Sequence, residues 1–160
     1  MHYFSWKKGF FSSRYRLLNA AKEQHGQFHQ PTFEPYSLGS WDDTDLKFKK
    51  KGFFSSESDI IDLKKEKVIG TIRFNGWGNK AKISLDQKKY SWKYDNFWGT
   101  KWSISENEDV LFRYESSFSN GEIESVSDDK VLLLSGIYVH NYYLAIMIVI
   151  AVSTALIASR

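Results

Sequence analysis

The chain of 160 residues contains no cysteine and only two prolines. Without cysteine there is no disulfide framework, no thiolate nucleophile and no Cys-ligated zinc site. With so little proline, most of the chain is free to enter regular hydrogen-bonded structure. Charge is missing too, but from one place. No Asp, Glu, Lys or Arg occurs from Val131 to Ser159, and Arg160 follows. All 19 acidic residues and all but one of the 22 basic residues precede Val131. The net charge of +3 is too small for the basic stripe of a dedicated nucleic-acid binder, so no nucleic-acid partner is expected. The first residues reach Lys7-Lys8 before any apolar run has built up, so no cleavable signal peptide is expected.

The uncharged stretch dominates what is present. Leu144, Ile146, Met147, Ile148, Val149, Ile150, Val152, Leu156 and Ile157 would cost roughly 1.5–3 kcal/mol each if left in water. That sum exceeds the ~5–15 kcal/mol by which a whole domain is stable. The segment must therefore be covered, either by lipid or by the fold. Tyr142 to Ala158 would reach about 25 Å as a helix, the short limit for crossing a hydrocarbon core of ~30 Å. In that reading Tyr142 and Tyr143 mark one interface and Arg160 the other, and Ala151 and Ala155 form a small-residue pair. The apolar run starts earlier, at Val131, and Ser135-Gly136 and His140-Asn141 interrupt it. A break near His140-Asn141 would let a first piece plug a closed barrel while the second packs elsewhere or enters a membrane.

Before Val131 the pattern is that of short strands separated by turns. Val68, Gly70, Ile72 and Phe74 alternate with Ile69, Thr71 and Arg73, and Asn75-Gly76 follows as a hairpin signal. Lys80 to Leu85, Lys88 to Tyr94, Thr100 to Ile104, Val110 to Tyr114 and Glu122 to Val126 read as further strands. Asp86-Gln87, Asp95-Asn96, Glu106-Asn107-Glu108 and Asn120-Gly121 read as their turns. Tyr90, Trp92 and Tyr94 share one face, as barrel core more readily than as a base-stacking platform. The N-terminal third is less regular. Arg14 to Asn19 suits a strand or the start of a short helix, and Gly26 to Gly39, with Pro31 and Pro35, suits loop and edge strand. The heptapeptide from Lys7 to Ser13 recurs letter for letter from Lys50 to Ser56, as if one strand-and-corner unit were used twice.

The Phe-Phe-Ser corners, Gly70-Thr71-Ile72-Arg73, the Trp- and Tyr-rich hairpins and the final hydrophobic helix together resemble the tubby-like superfamily. That group holds the tubby C-terminal domain, the LURP-one-related proteins and the phospholipid scramblases. The resemblance covers about residues 46–143. It implies a single domain: an antiparallel closed barrel with its hydrophobic C-terminal helix partly or wholly buried inside. Lipid contact is implied only loosely, because the scramblase cysteine cluster and proline-rich arm are missing and no phosphoinositide-binding residues of tubby align.

No catalytic motif stands out. There is no phosphate-cradling Gly-x-x-x-x-Gly-Lys-Ser/Thr and no Gly-x-Ser-x-Gly elbow. His25 and His29 have helical metal-pair spacing, but Gly26 between them and Pro31 nearby favour a loop. Asp42, Asp43 and Asp45 lack the calcium-loop pattern and read as a charged turn. Asp59 with Asp62, or Glu122 with Glu124, would suit paired acid/base work only around a cleft that spacing does not reveal. No cofactor or metal is expected. Lys7, Lys8, Lys47, Lys49, Lys50 and Lys51, interleaved with phenylalanines, are the candidate contacts to anionic lipid. The alternative for them is strand lysines that guard a sheet edge.

The expectation is thus a non-catalytic, cytoplasmic or membrane-associated module that contacts lipid or a membrane protein. The alternative is a tail-anchored protein with residues 142–160 in the bilayer and a β-rich cytosolic head.

Overall fold

The computed structural model describes residues 1–9, 12–31, 34–52 and 54–160. Twelve strands run in chain order: β1 (His2–Lys8), β2 (Arg14–Leu18), β3 (Gln24–His29), β4 (Tyr36–Trp41), β5 (Thr44–Lys50), β6 (Glu57–Asp62), β7 (Lys67–Phe74), β8 (Lys80–Leu85), β9 (Lys88–Tyr94), β10 (Lys101–Glu106), β11 (Asp109–Ser116) and β12 (Asn120–Ser125). Each pairs antiparallel with its sequence neighbours. β12 returns to β1 through Phe4 opposite Ile123 and Trp6 opposite Gly121, which closes the barrel. Twelve strands enclose more space than their own side chains fill. The first half of the helix α1 (Lys130–Ala158), Leu132 to Tyr143, occupies it.

The alternation expected from sequence lines the wall. Phe28, Phe48, Ile60, Ile72, Ile83, Trp92, Ile104 and Phe112 point inward and are fully buried. Asp86 and Gln87 both take positive φ, the conformation a two-residue hairpin needs. Three expectations change. Val68 is exposed, because β6 and β7 slip register between Ile60 and Ile61, which pair with Gly70 and Val68. The unpaired Ile69 shifts the alternation by one, and it packs on the core instead. Asn120-Gly121 is not a turn but the start of β12. Gly121 is needed there because a Cβ would lie 1.9 Å from the Trp6 ring. The stretch around Gly26 and Gly39 is not an edge: β3 and β4 are fully paired members of a closed sheet.

The helix is one unbroken element of 29 residues, about 44 Å long. Asp129 caps it, accepting from the backbone N–H of Val131 (2.9 Å) and Leu132 (3.1 Å). The expected breaks do not occur because each polar residue finds a partner within the helix or the wall. Ser135 Oγ donates to the Val131 carbonyl at 2.7 Å, and Asn141 Nδ2 donates to that of Ile137 at 2.9 Å. Gly136 makes room for the Tyr114 hydroxyl, which donates to the Leu133 carbonyl at 3.2 Å.

Candidate functional site

Connections between antiparallel strands alternate between the two ends of a barrel, so this one has two unlike rims. The helix enters at the rim formed by the turns after β2, β4, β6, β8 and β10. There the Lys130 ammonium lies over the rings of Phe4 (4.6 Å) and Trp41 (5.3 Å). It leaves at the rim formed by the connections after β1, β3, β5, β7, β9 and β11.

Inside, the helix is a plug. Leu132 to His140 and Tyr143 are buried. Tyr138 stacks on Phe48 at 4.6 Å and shares a 2.7 Å hydrogen bond with Ser58 Oγ. Burial raises the Tyr138 hydroxyl pKa well above its ordinary value. His140 lies on Trp102 and bonds Tyr94 Oη through Nδ1 at 3.0 Å. Burial, reinforced by the charge of Lys8, pushes His140 down to about 3, so the ring is neutral.

At the exit rim Tyr143 is buried, not placed at an outer interface as expected. Its hydroxyl accepts from the Asn75 backbone N–H at 3.2 Å and has two acceptors for its single proton, the Lys80 carbonyl and Asn75 Oδ1 at 3.1 Å. Tyr142 stacks on Phe74 with centroids 3.6 Å apart. These contacts clamp the helix to the β7–β8 connection. Beyond the clamp, Leu144 and Ala145 are half-buried; Ile146, Ile148, Val149, Ile150, Val152, Leu156 and Ile157 are exposed. None of these residues belongs to the plug. The helix is long and apolar enough to cross a membrane, and among the described residues only the start of its outer half, at Leu144 to Ile148, meets the connections of the barrel.

The two copies of the heptapeptide both leave the barrel at this rim, after β1 and after β5. Phe10, Phe11 and Phe53 within them lie outside the described residues. The two copies use non-equivalent lysines near the mouth, the second of the first copy and the first of the second. Lys8 Nζ sits 5.4 Å from the Tyr15 ring, and Lys50 Nζ sits 5.0 Å from the ring of Tyr142. Tyr15 in turn donates to Asn141 Oδ1 at 2.9 Å, so both copies abut the helix where it emerges. The copies are not side by side, since the β3–β4 connection separates them. Lys7 and Lys49 face outward. Lys47, also on the outer wall, lies over Tyr36 at 4.3 Å. Lys51 pairs with Glu57 at 2.9 Å, and Arg73 holds the other oxygen of that carboxylate. These two cations lower the Glu57 pKa. With the sheet closed, none of the lysines guards an edge.

The remaining candidates serve the fold. His25 bonds Asp42 at 2.8 Å and stacks on Trp41, while His29 faces Ser13. Asp42 and Asp43 form the β4–β5 turn, and Asp62 caps the β6–β7 turn through the N–H groups of Lys64 and Lys65. Glu122 and Glu124 lie on the outer wall in a groove shared with Lys101 and Arg113. Among the described residues, no cluster of three His, Cys, Asp or Glu is arranged to hold a metal.

Strand-by-strand reading misses one group. Phe54, Trp77, Phe97, Trp98 and Phe118, all in connections of the exit rim, are between 81% and 95% exposed. These aromatic residues interrupt turns otherwise built of polar residues and glycine, a signal that acquires meaning only when the turns are sorted by end.

No family model matches the chain, and no curated protein or solved structure matches it.

Proposed function

We propose that this chain is a membrane-anchored, non-catalytic β-barrel module, held to a bilayer by the outer half of the helix that plugs it. The observation that carries this reading is the run from Leu144 to Ala158, an uncharged helix that leaves a well-packed barrel and is exposed from Ile146 onward. Exposed apolar surface on this scale marks a lipid or protein contact. The lumen, where barrels hold small ligands, is filled by Leu133, Leu134, Ile137 and Tyr138, which supports a binding or scaffolding role for the outer surface. Kinship with the tubby-like group is a proposal that rests on the barrel-and-helix architecture.

Alkaline extraction of membranes tests the anchor, on the full chain and on a version ending at Tyr143. That version keeps the plug and the tyrosine clamp. The full chain is expected to stay with the membrane pellet, and the shortened one to be released as a folded protein. A full chain that is extracted, or that is monodisperse without detergent, overturns the reading. A soluble oligomer would mean that copies of this chain cover the helix instead.

A further inference from the structure

The twelve connections of the barrel divide by position in their aromatic content, and acids are concentrated at one end, with Glu34 and Asp95 the two at the other. At the entry rim the turns Asn19–Glu23, Asp42–Asp43, Leu63–Glu66, Asp86–Gln87 and Asn107–Glu108, and the link Val126–Asp129, contain acids and no aromatic residue. At the exit rim every connection contains a Phe or a Trp. Trp77, Phe97 and Trp98 stand with Phe54 and Phe118 among the most exposed apolar side chains described. Phe33 occupies the β3–β4 connection, outside the described residues. Nothing in barrel packing requires this asymmetry, since the tips are away from the core.

The reach of the helix gives it a cause. From Leu144 to Ala158 the rise is about 22 Å, well short of a ~30 Å hydrocarbon core. Ser12, Pro31 and Glu34, from two exit connections, line one groove with Leu144 and Ile148. The loops therefore reach about one helical turn, ~5 Å, past the start of the exposed segment. A bilayer that covers Leu144 must meet these loops as well. A barrel held away from the surface would leave Leu144 to Ile148 in water and shorten the span further. Phe and Trp at loop tips are suited to the headgroup–acyl boundary, where tryptophan in particular concentrates. Lys8, Lys50, Lys80 and Lys101 end or begin strands just behind the tips, where they outnumber the exit-rim acids Glu34 and Asp95, while most acidic turns lie at the far rim.

We infer that the exit-rim aromatics form a collar that seats the barrel directly in the headgroup–acyl boundary of an anionic bilayer, around the entering helix. This rests on the anchoring proposed above, and it adds orientation. The barrel stands upright with its exit rim in lipid and its acidic rim facing away. The outer wall, including the Glu122–Glu124 groove, stays in water.

Native tryptophans report on it. Four of the six, Trp6, Trp41, Trp92 and Trp102, are buried in the barrel, and Trp77 and Trp98 are at the tips. The full chain and its Trp77→Phe/Trp98→Phe variant are reconstituted in phosphatidylcholine vesicles with shallow brominated acyl chains, with and without phosphatidylserine. The difference in emission between the two proteins isolates the tips. Expected is at least a twofold quenching of that difference by the brominated lipid, little quenching by aqueous iodide, and a larger lipid effect when phosphatidylserine is present. If iodide quenches the tips fully and brominated lipid does not, while the protein still resists alkaline extraction, the collar is overturned and the anchor stands. If the protein is released at alkaline pH, the anchoring reading fails and the collar with it. Equal lipid quenching with and without phosphatidylserine overturns the anionic preference.

Discussion

His140 lies flat against Trp102, ring centroids 3.9 Å apart and planes 12° from parallel, in the barrel mouth. Burial holds the His140 pKa near 3, against about 6.5 for an unperturbed histidine. Below pH 6.5 the unfolded chain takes up a proton that the folded one refuses. Stability is therefore full above pH 6.5 and declines as pH falls toward 3, by about 1.4 kcal/mol per pH unit. The urea midpoint of the full chain in detergent should drop between pH 7 and pH 5. His140→Phe should flatten that decline, and an equally steep decline in the variant would assign it to other groups.

Gly136→Ala should destabilise, although alanine in a helix interior ordinarily gains about 1 kcal/mol over glycine. The added Cβ would lie 2.3 Å from Tyr114 Oη, and that ring is pinned between Trp102 and Phe112. Overpacking of this kind costs about 1–3 kcal/mol. Gly76→Ala, where a Cβ meets nothing within 4 Å, should leave the thermal midpoint almost unmoved. Equal effects at the two sites would refute the close helix–wall contact.

Tyr138 of the plug and Ser58 of the wall are joined by a hydrogen bond. Tyr138→Phe should cost about 1–3 kcal/mol by stranding the buried Ser58 hydroxyl. Adding Ser58→Ala should restore part of the loss. A double-mutant cycle on unfolding free energies reads the coupling directly, and strict additivity would argue against the bond.

The two halves of the helix should answer differently to the same kind of change. Leu133→Ala or Leu134→Ala should cost about 2–5 kcal/mol of folding stability, because both side chains are fully buried. Val152→Arg should leave barrel unfolding unchanged and abolish resistance to alkaline extraction, since arginine at the centre of an inserted helix costs about 2.5–3.5 kcal/mol. A Val152→Arg protein that unfolds early would place Val152 in the fold after all.

Much of this architecture is local, and local features are legible in sequence. Alternation along β8 and β9, the Asp86-Gln87 hairpin and the uncharged run after Val131 each depend on residues within a few positions of one another, where period and turn chemistry act. The boundary within that run was not legible. Leu133 and Ile148 are equally apolar, and only the height of a wall built from β1 to β12 determines that the first is plug and the second projects. The same holds for His140, which looks like a helix break until Tyr94 and Trp102 receive it. It holds for Gly121, whose role depends on Trp6, more than a hundred residues earlier in the chain. The aromatic collar is the clearest case. Trp77, the adjacent pair Phe97 and Trp98, and Phe118 lie in three different hairpins with no common spacing. Only the closed antiparallel topology, which sends alternate connections to opposite ends, gathers them on one rim around an apolar helix.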